Sequence, residues 1–207
     1  SDFKLHVFTL NNDLVLEHFL KEEHPPFTGF ANGKWIGFSN IHEEQQHNPS
    51  RIFLYKLHGS MDWIRGNDEN IYLKDIAKSL EDQAQEFKIE HDPYIIFGHG
   101  AKFFSIDPFY SLVKEFQESL DEKKFIFIIG YSFFDPYINN LLFNAVNSHP
   151  EKKKKLIIVG PDMANSFLKD EYFGKEFGID KVLMPAHNKH MLTFFKDVQS
   201  NSFYSDL

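Results

Sequence analysis

Short apolar runs, each closed by a loop of small polar residues and followed by a helical pattern, constrain this chain more than any other feature. Five such runs cover residues 5–9, 52–57, 94–97, 125–129 and 156–159. The loops that close them are Thr9-Leu10-Asn11-Asn12-Asp13, His58-Gly59-Ser60, Gly98-His99-Gly100, Gly130-Tyr131-Ser132 and Gly160-Pro161-Asp162. Repetition of strand, polar loop and helix predicts an open α/β sheet of parallel strands flanked by helices. The uniformly apolar run 125–129 reads as a strand covered on both faces, and a shorter strand follows at 182–184. In such sheets ligands bind outside the carboxyl ends of the strands. The five loops therefore form the candidate rim, and their composition suits a phosphate-bearing ligand.

Helical spacing fills most of the remainder. Residues 14–20 suit a short helix capped by Asn or Asp. The charged stretch after residue 66 includes a surface helix over 73–88, and residues 108–120 repeat apolar positions at helical intervals with Pro108 near their start. Asp135-Pro136 opens a helix that carries Ile138, Leu141, Leu142 and Ala145 on one face, with Asp135 as its cap. Further helices are expected over 162–173 and 189–199. Two stretches break the rhythm: 24–50, rich in proline, glycine and asparagine, and the charged 61–92. Both read as insertions or irregular excursions from one domain spanning 1–207.

Charge and composition remove several function classes. With 22 basic against 30 acidic side chains the formal charge is −8, the wrong sign for a general nucleic-acid binder. The lysines at 152–155 read as a solvated helix end or turn. No run approaches the roughly 18 apolar residues needed to cross a bilayer, and no signal peptide is visible, so a cytoplasmic location is expected. The chain has no cysteine, which removes disulfides, thiol nucleophiles and every cysteine-ligated zinc site. The histidines of His42-Glu43-Glu44-Gln45-Gln46-His47 are five apart, off the single helical face that a zinc motif needs. They read as solvated loop. His187 and His190 lack a third ligand nearby, so no metal is expected.

Two rim loops carry the chemistry. Thr9-Leu10-Asn11-Asn12-Asp13 has the form T-x-N-x-D, and Lys56-Leu57-His58-Gly59-Ser60 follows the second strand. Taken singly, Asn11 serves as a helix cap and His58 as a satisfied histidine in a turn. In order, and followed by Pro93-Tyr94-Ile95-Ile96-Phe97-Gly98 and Gly130-Tyr131-Ser132-Phe133-Phe134-Asp135, the set resembles the NAD-binding domain of the sirtuin superfamily. Its K-L-H-G-S and G-Y-S-x-x-D forms are similar in particular to bacterial sirtuin-like domains that hydrolyse NAD in anti-phage defence. The resemblance covers about residues 5–165 and implies a Rossmann-like fold with NAD as substrate.

Cleaving nicotinamide from NAD creates an oxocarbenium-like ribosyl centre. The site must hold the ribose and orient or deprotonate an attacking oxygen. A neutral histidine, with an ordinary pKa of about 6.5, accepts that proton near pH 7. An asparagine amide holds water and ribose hydroxyls through both donor and acceptor atoms. By resemblance Asn11 and His58 are the catalytic pair, and Thr9, Asp13, Gly59, Gly130, Ser132 and Gly160 bind the dinucleotide. Asp13 would brace the loop or the nicotinamide pocket. Asn12 competes with Asn11 for the amide role, although the motif register favours Asn11.

The departures refine the expectation. A sirtuin-like domain begins with a glycine-rich loop that receives the pyrophosphate at a helix N-terminus, and nothing before Thr9 supplies it. Gly98-His99-Gly100-Ala101-Lys102-Phe103 falls short of G-x-G-x-x-G and stands in the wrong order. The chain therefore reads as the part of the domain after that loop. Sirtuin deacetylases carry a four-cysteine zinc module between the positions of His58 and Phe97, whereas 61–93 here has no cysteine. NAD hydrolysis to nicotinamide and ADP-ribose, or its cyclic form, thus stands above protein deacylation. A non-catalytic module that senses NAD or an ADP-ribose derivative, or serves as an interaction domain, is the alternative. Partners implied by resemblance are further copies of the chain or an associated sensor.

Overall fold

The computed structural model describes residues 4–47, 50–96, 106–147, 154–159 and 182–183. The chain divides into two compact units, Ser1–Phe116 and Gln117–Leu207.

In the first unit β1 (Leu5–Thr9) leads through a polar loop into α1 (Val15–Leu20). That short helix buries none of its residues, and Val15 and Phe19, one turn apart, are 68% and 82% exposed. Next come β2 (Phe30–Ala31), β3 (Lys34–Trp35), α2 (Phe38–His47) and β4 (Ile52–Lys56). β1 and β4 pair in parallel, from Leu5 opposite Ile52 to Thr9 opposite Lys56. Phe53, Leu54, Tyr55 and Lys56 are all buried, so β4 is covered on both faces, as a strand inside a parallel α/β sheet requires. Each buried Phe or Leu side chain contributes about 1.5–3 kcal/mol, which makes β4 the anchor of this unit.

The two stretches read from sequence as excursions hold regular structure. β5 (Trp63–Arg65), β6 (Ile71–Leu73) and α3 (Lys74–Gln83) follow β4. An antiparallel sheet runs in the order β2-β3-β6-β5, so 24–50 and 61–92 combine into one element. The β2–β3 hairpin turns on Asn32 and Gly33, with φ of 50° and 73°. Asn-Gly is the dipeptide that a two-residue type I′ turn selects. Phe30, Trp35 and Trp63 pack with ring centroids 5.3–6.2 Å apart. Ile64, Tyr72 and Ala77 form a core with Leu80, Phe87 and Ile89 against it. The helix expected over 73–88 is the shorter α3: residues 71–73 pair with β5, and the chain leaves the helix at Ala84, whose φ of −127° and ψ of 109° are extended, before Ile89 bridges to Gly66.

Residues 94–96 correct the sequence reading of a parallel strand. Ile95 forms an isolated antiparallel bridge to Gly59. Tyr94 donates its N–H to the Trp63 carbonyl at 2.8 Å and Ile96 to the His58 carbonyl at 2.9 Å. The segment lies along the His58 loop instead of joining the parallel ladder. α4 (Phe109–Glu122) follows, near the 108–120 expected from periodicity, with Phe109, Leu112, Val113 and Phe116 buried.

In the second unit β7 (Phe125–Ile129), α5 (Pro136–Asn147), β8 (Lys155–Val159) and β9 (Val182–Leu183) form a parallel sheet of order β7-β8-β9 with its crossover helix. Ile138, Leu141, Leu142 and Ala145 of α5 are buried, the face that periodicity marks. Asp135 caps α5 by accepting the Tyr137 and Ile138 N–H groups at 2.9 and 3.2 Å. The expectation for β7 is corrected, since its residues alternate. Ile126 and Ile128 are buried, while Phe125, Phe127 and Ile129 are 43%, 47% and 39% exposed. Uniform apolarity cannot distinguish a strand covered on both faces from one covered on one.

Lys154 corrects the solvated reading of the lysine run at that position. It is buried, and its Nζ donates to the carbonyls of Leu120, Asp121 and Lys123, at 2.7 Å to Asp121. A cation there meets the unsatisfied carbonyls and negative end of α4. The helices expected over 162–173 and 189–199, the loops at 98–100 and 160–162, and His187 and His190 lie outside the described residues. Among the described residues no helix is long and apolar enough to cross a membrane.

Candidate active site

Because β1 and β4 are parallel and end in register at Thr9 and Lys56, the loops that follow them leave the same edge of the sheet. Leu57 donates its N–H to the Thr9 carbonyl at 2.9 Å, and Met61 donates to the Asn12 carbonyl at 3.0 Å. The T-x-N-x-D loop and the K-L-H-G-S loop are thus joined backbone to backbone beyond the strand ends.

Within the first loop, Thr9 Oγ1 accepts the N–H of Asn11 at 3.0 Å, and Asp13 Oδ1 accepts that of Val15 at 3.0 Å. The two side chains fold the loop and start α1. Thr9 and Asp13 therefore have local structural work in addition to any contact with a ligand. The Asn11 side chain is exposed beyond the strand edge. Asn12 is half-buried, and its side-chain Oδ1 is shielded from solvent without a hydrogen-bond partner. The two asparagines thus point to different environments.

In the second loop His58 is half-buried, with Nε2 shielded from solvent. Its position is set from both sides, by the turn in which Gly59 N–H donates to the Lys56 carbonyl at 3.2 Å and by the Ile96 N–H on its own carbonyl. Gly59 has φ +86°, and a Cβ there would lie 2.2 Å from the Tyr94 carbonyl oxygen. The close approach of two chain segments demands glycine here, a structural reason that stands apart from ligand binding.

Sequence reasoning assigned no role to the side chain between these loops. Lys56 ends β4 almost wholly buried. Its ammonium donates to the Asp13 carbonyl, to Ser60 Oγ at 3.1 Å and to Glu17 Oε1 of α1 at 2.8 Å. Ser60 Oγ in turn donates to Asp62 Oδ1 at 2.5 Å. Glu17 Oε2 is also buried without a hydrogen-bond partner. The available signal was a lysine closing an otherwise apolar run, with a glutamate four residues after Asp13.

The structure brings Thr9, Asn11, Asp13, His58 and Gly59 together at one strand edge. Gly130 and Ser132 belong to the second unit, where they are exposed at the end of β7, Gly130 with φ +65°. That turn is braced by Tyr131, whose hydroxyl lies 2.8 Å from Asn139 Oδ1 and 3.1 Å from the Asp135 carbonyl, and by Asn139 Nδ2 donating to the Phe133 carbonyl at 2.7 Å. Burial and the Asp135 charge push the Tyr131 hydroxyl far above its ordinary value, so it stays protonated. Gly160 lies outside the described residues.

A second polar cluster lies deeper in the first unit. The buried Glu115 carboxylate of α4 faces His6 Nδ1 of β1 at 3.6 Å and His42 Nε2 of α2 at 3.7 Å, and accepts from Gln45 Nε2 at 2.8 Å. Gln45 also donates to the Tyr55 hydroxyl at 2.7 Å. Burial pushes the Glu115 carboxyl up. The hydrogen bonds from His6 and Gln45 and the charges of His42 and His6 outweigh that effect and hold it below the ordinary glutamate value. His42, read from sequence as loop, is helical. His6 precedes Thr9 by three residues, about 10 Å along the strand, so this cluster stands back from the rim.

A family model described as a SIR2-like domain matches residues 5–180. The chain belongs to that family. No curated protein matches the chain. A solved structure described as "The Structural basis for Sirtuin Substrate affinity" aligns at 14% identity with a TM-score of 0.43. The alignment covers 77% of this chain and 61% of that one, so the SIR2-like chain spans less than two thirds of that relative's length. The residues present fit NAD in one respect that the structure shows. Asn12 Oδ1 is a buried acceptor without a hydrogen-bond partner, and the ribose hydroxyls and carboxamide of NAD are donors.

Proposed function

We propose that this SIR2-like domain hydrolyses NAD to nicotinamide and ADP-ribose, with Asn11 and His58 as its catalytic residues. One observation carries the reading: the two loops that bear these residues leave adjacent parallel strands at the same edge and are tied backbone to backbone. This is the edge at which α/β sheets take ligands. Asn11, exposed on a loop held by Thr9, is free to orient a water and the nicotinamide ribose through its amide. His58 accepts a proton from that water. The water oxygen bonds to the ribose anomeric carbon as the bond to the pyridinium nitrogen breaks. The bonding pair passes to that nitrogen, neutral nicotinamide leaves, and the proton moves from His58 to solvent.

Thr9, Asp13, Gly59, Gly130, Ser132 and Gly160 are proposed to contact the dinucleotide, Gly59 through a backbone that also serves packing. The absence of cysteine between His58 and residue 93 excludes a four-cysteine zinc module in that stretch and favours water over an acyl-lysine as the acceptor. The motif forms K-L-H-G-S and G-Y-S-x-x-D further support an NAD-depleting effector of bacterial anti-phage defence, acting with other copies of the chain or a sensor. The test is nicotinamide release from NAD by the full chain and by Asn11→Ala and His58→Ala. Turnover lost in both variants with NAD binding retained supports the reading. Saturable NAD binding with no release from the wild type, with or without a candidate activator, overturns it in favour of a sensing module.

A further inference from the structure

We propose that Lys56 is the positioning residue of this site, its ammonium holding the Asn11 loop against the His58 loop, with Glu17 as the counter-ion that keeps the buried lysine charged. The proposal rests on the reading of these loops as catalytic, but its physical claim is separable from that reading. An ammonium has three donors and no acceptor, and each of the three donors of Lys56 is assigned. One goes to the Asp13 carbonyl in the first loop, one to Ser60 Oγ in the second, and one to Glu17 Oε1 on the helix after the first. Asn11 stands two residues before Asp13, and His58 stands midway between Lys56 and Ser60. Any displacement of one loop relative to the other must break or stretch a charge-assisted hydrogen bond in a buried setting, where such bonds are short and strong.

A charged lysine at the end of a buried strand is costly unless paired and fully hydrogen-bonded. Stability alone gives little reason for it, because a well-packed apolar pair of similar volume is often neutral or stabilising in such a place. What an apolar pair cannot do is bond the Asp13 carbonyl and the Ser60 hydroxyl at once. Ser60 passes the restraint on to Asp62, whose own carbonyl accepts the Lys74 N–H at 2.7 Å. The second loop is thereby tied to the start of α3.

The double variant Lys56→Met/Glu17→Met separates positioning from stability, because it removes the ion pair without leaving either charge buried alone. It is compared with wild type, with Lys56→Met and with Lys56→Arg in the full chain. Two quantities are read: amide hydrogen exchange at Met61, whose N–H bonds the Asn12 carbonyl between the loops, and the kinetics of nicotinamide release. Lys56→Met alone strands Glu17 and is expected to lose stability. The double variant is expected to regain the wild-type melting temperature while Met61 exchanges at least about ten-fold faster. Its kcat is expected to fall about 10- to 100-fold, as small misplacements of catalytic groups do, with KM for NAD within about three-fold. Wild-type exchange at Met61 in a stable double variant overturns the positioning role whatever the kinetics. If the wild type releases no nicotinamide, the hydrolase reading falls, and the exchange result still decides the role of Lys56. If the double variant does not fold, Lys56→Arg carries the test, since it keeps the charge but changes the geometry. Unaltered Met61 exchange and turnover in a folded Lys56→Arg would then overturn the proposal.

Discussion

The backbone N–H of Met61 donates to the carbonyl of Asn12 at 3.0 Å, so the loop after β4 and the loop after β1 are joined chain to chain, independently of the side chains at Asn11 and His58. Backbone anchoring of this kind makes the two side chains separable from the scaffold that carries them.

Substitution at either position should therefore change chemistry more than stability. Asn11→Ala and His58→Ala are each expected to lower nicotinamide release by about 10²-fold or more. Asn11→Ala, at an exposed side chain, should leave the melting temperature within a few degrees of wild type. Paired assays of turnover and thermal unfolding check this. A variant that loses activity only in proportion to lost folding would argue against a catalytic role.

Gly59 behaves oppositely. Its φ of +86° and the 2.2 Å approach of a Cβ to the Tyr94 carbonyl oxygen leave no room for any other residue without movement of backbone. Gly59→Ala is expected to cost about 2–4 kcal/mol, measured by denaturant unfolding. It should also disturb the His58 loop, because the Ile96 bond to the His58 carbonyl lies in the same contact.

Glu115 gives a pH dependence with a definite sign. Its folded-state pKa is held below the ordinary value of 4.5, so its contribution to stability is fully present above that value. The contribution is lost as pH falls through the lower, folded-state pKa. Glu115→Gln is expected to flatten the acid limb of a stability-against-pH curve, and to destabilise at neutral pH by about 1–3 kcal/mol through the weakened polar cluster. An acid limb identical to wild type would show that Glu115 is not the group responsible.

Tyr72 reports on the antiparallel sheet at the other end of the scale. Burial, then the hydrogen bond to Asp68 Oδ2 at 2.6 Å and the Asp68 charge, push its hydroxyl from 10.0 to about 12. The stability this contributes is fully present below pH 10 and is lost as pH rises through about 12. Asp68→Asn should bring the phenol back toward its ordinary value. Tyrosinate absorbance followed through an alkaline titration reads the shift, and an unchanged titration would exclude Asp68 as a cause.

The loops of the candidate site were legible in the sequence because their signals are local. A polar loop closing an apolar run marks a strand end, T-x-N-x-D and K-L-H-G-S name the loops, and Asp135 before Pro136 marks a helix start. Asn32-Gly33 was equally local and carried the β2–β3 hairpin, but lay inside a stretch whose glycines and prolines read as irregular. Periodicity alone could not show that 71–73 pairs with 63–65 or that 94–96 turns antiparallel along the His58 loop. Those pairings depend on partners distant in the chain.

From the chain alone come the SIR2-like motif order, the candidates Asn11 and His58, the apolar strands, and the absence of any cysteine-ligated metal site. Tertiary structure alone decided that Thr9 and Lys56 end side by side. It also decided that Lys56 turns inward to meet Asp13, Glu17 and Ser60, that Lys154 is buried on the end of α4, and that β7 covers one face and leaves the other open. The physical reason is common to all four. Local propensity reports what a residue can adopt, whereas the burial of a charge or an apolar face depends on which distant groups are there to satisfy it.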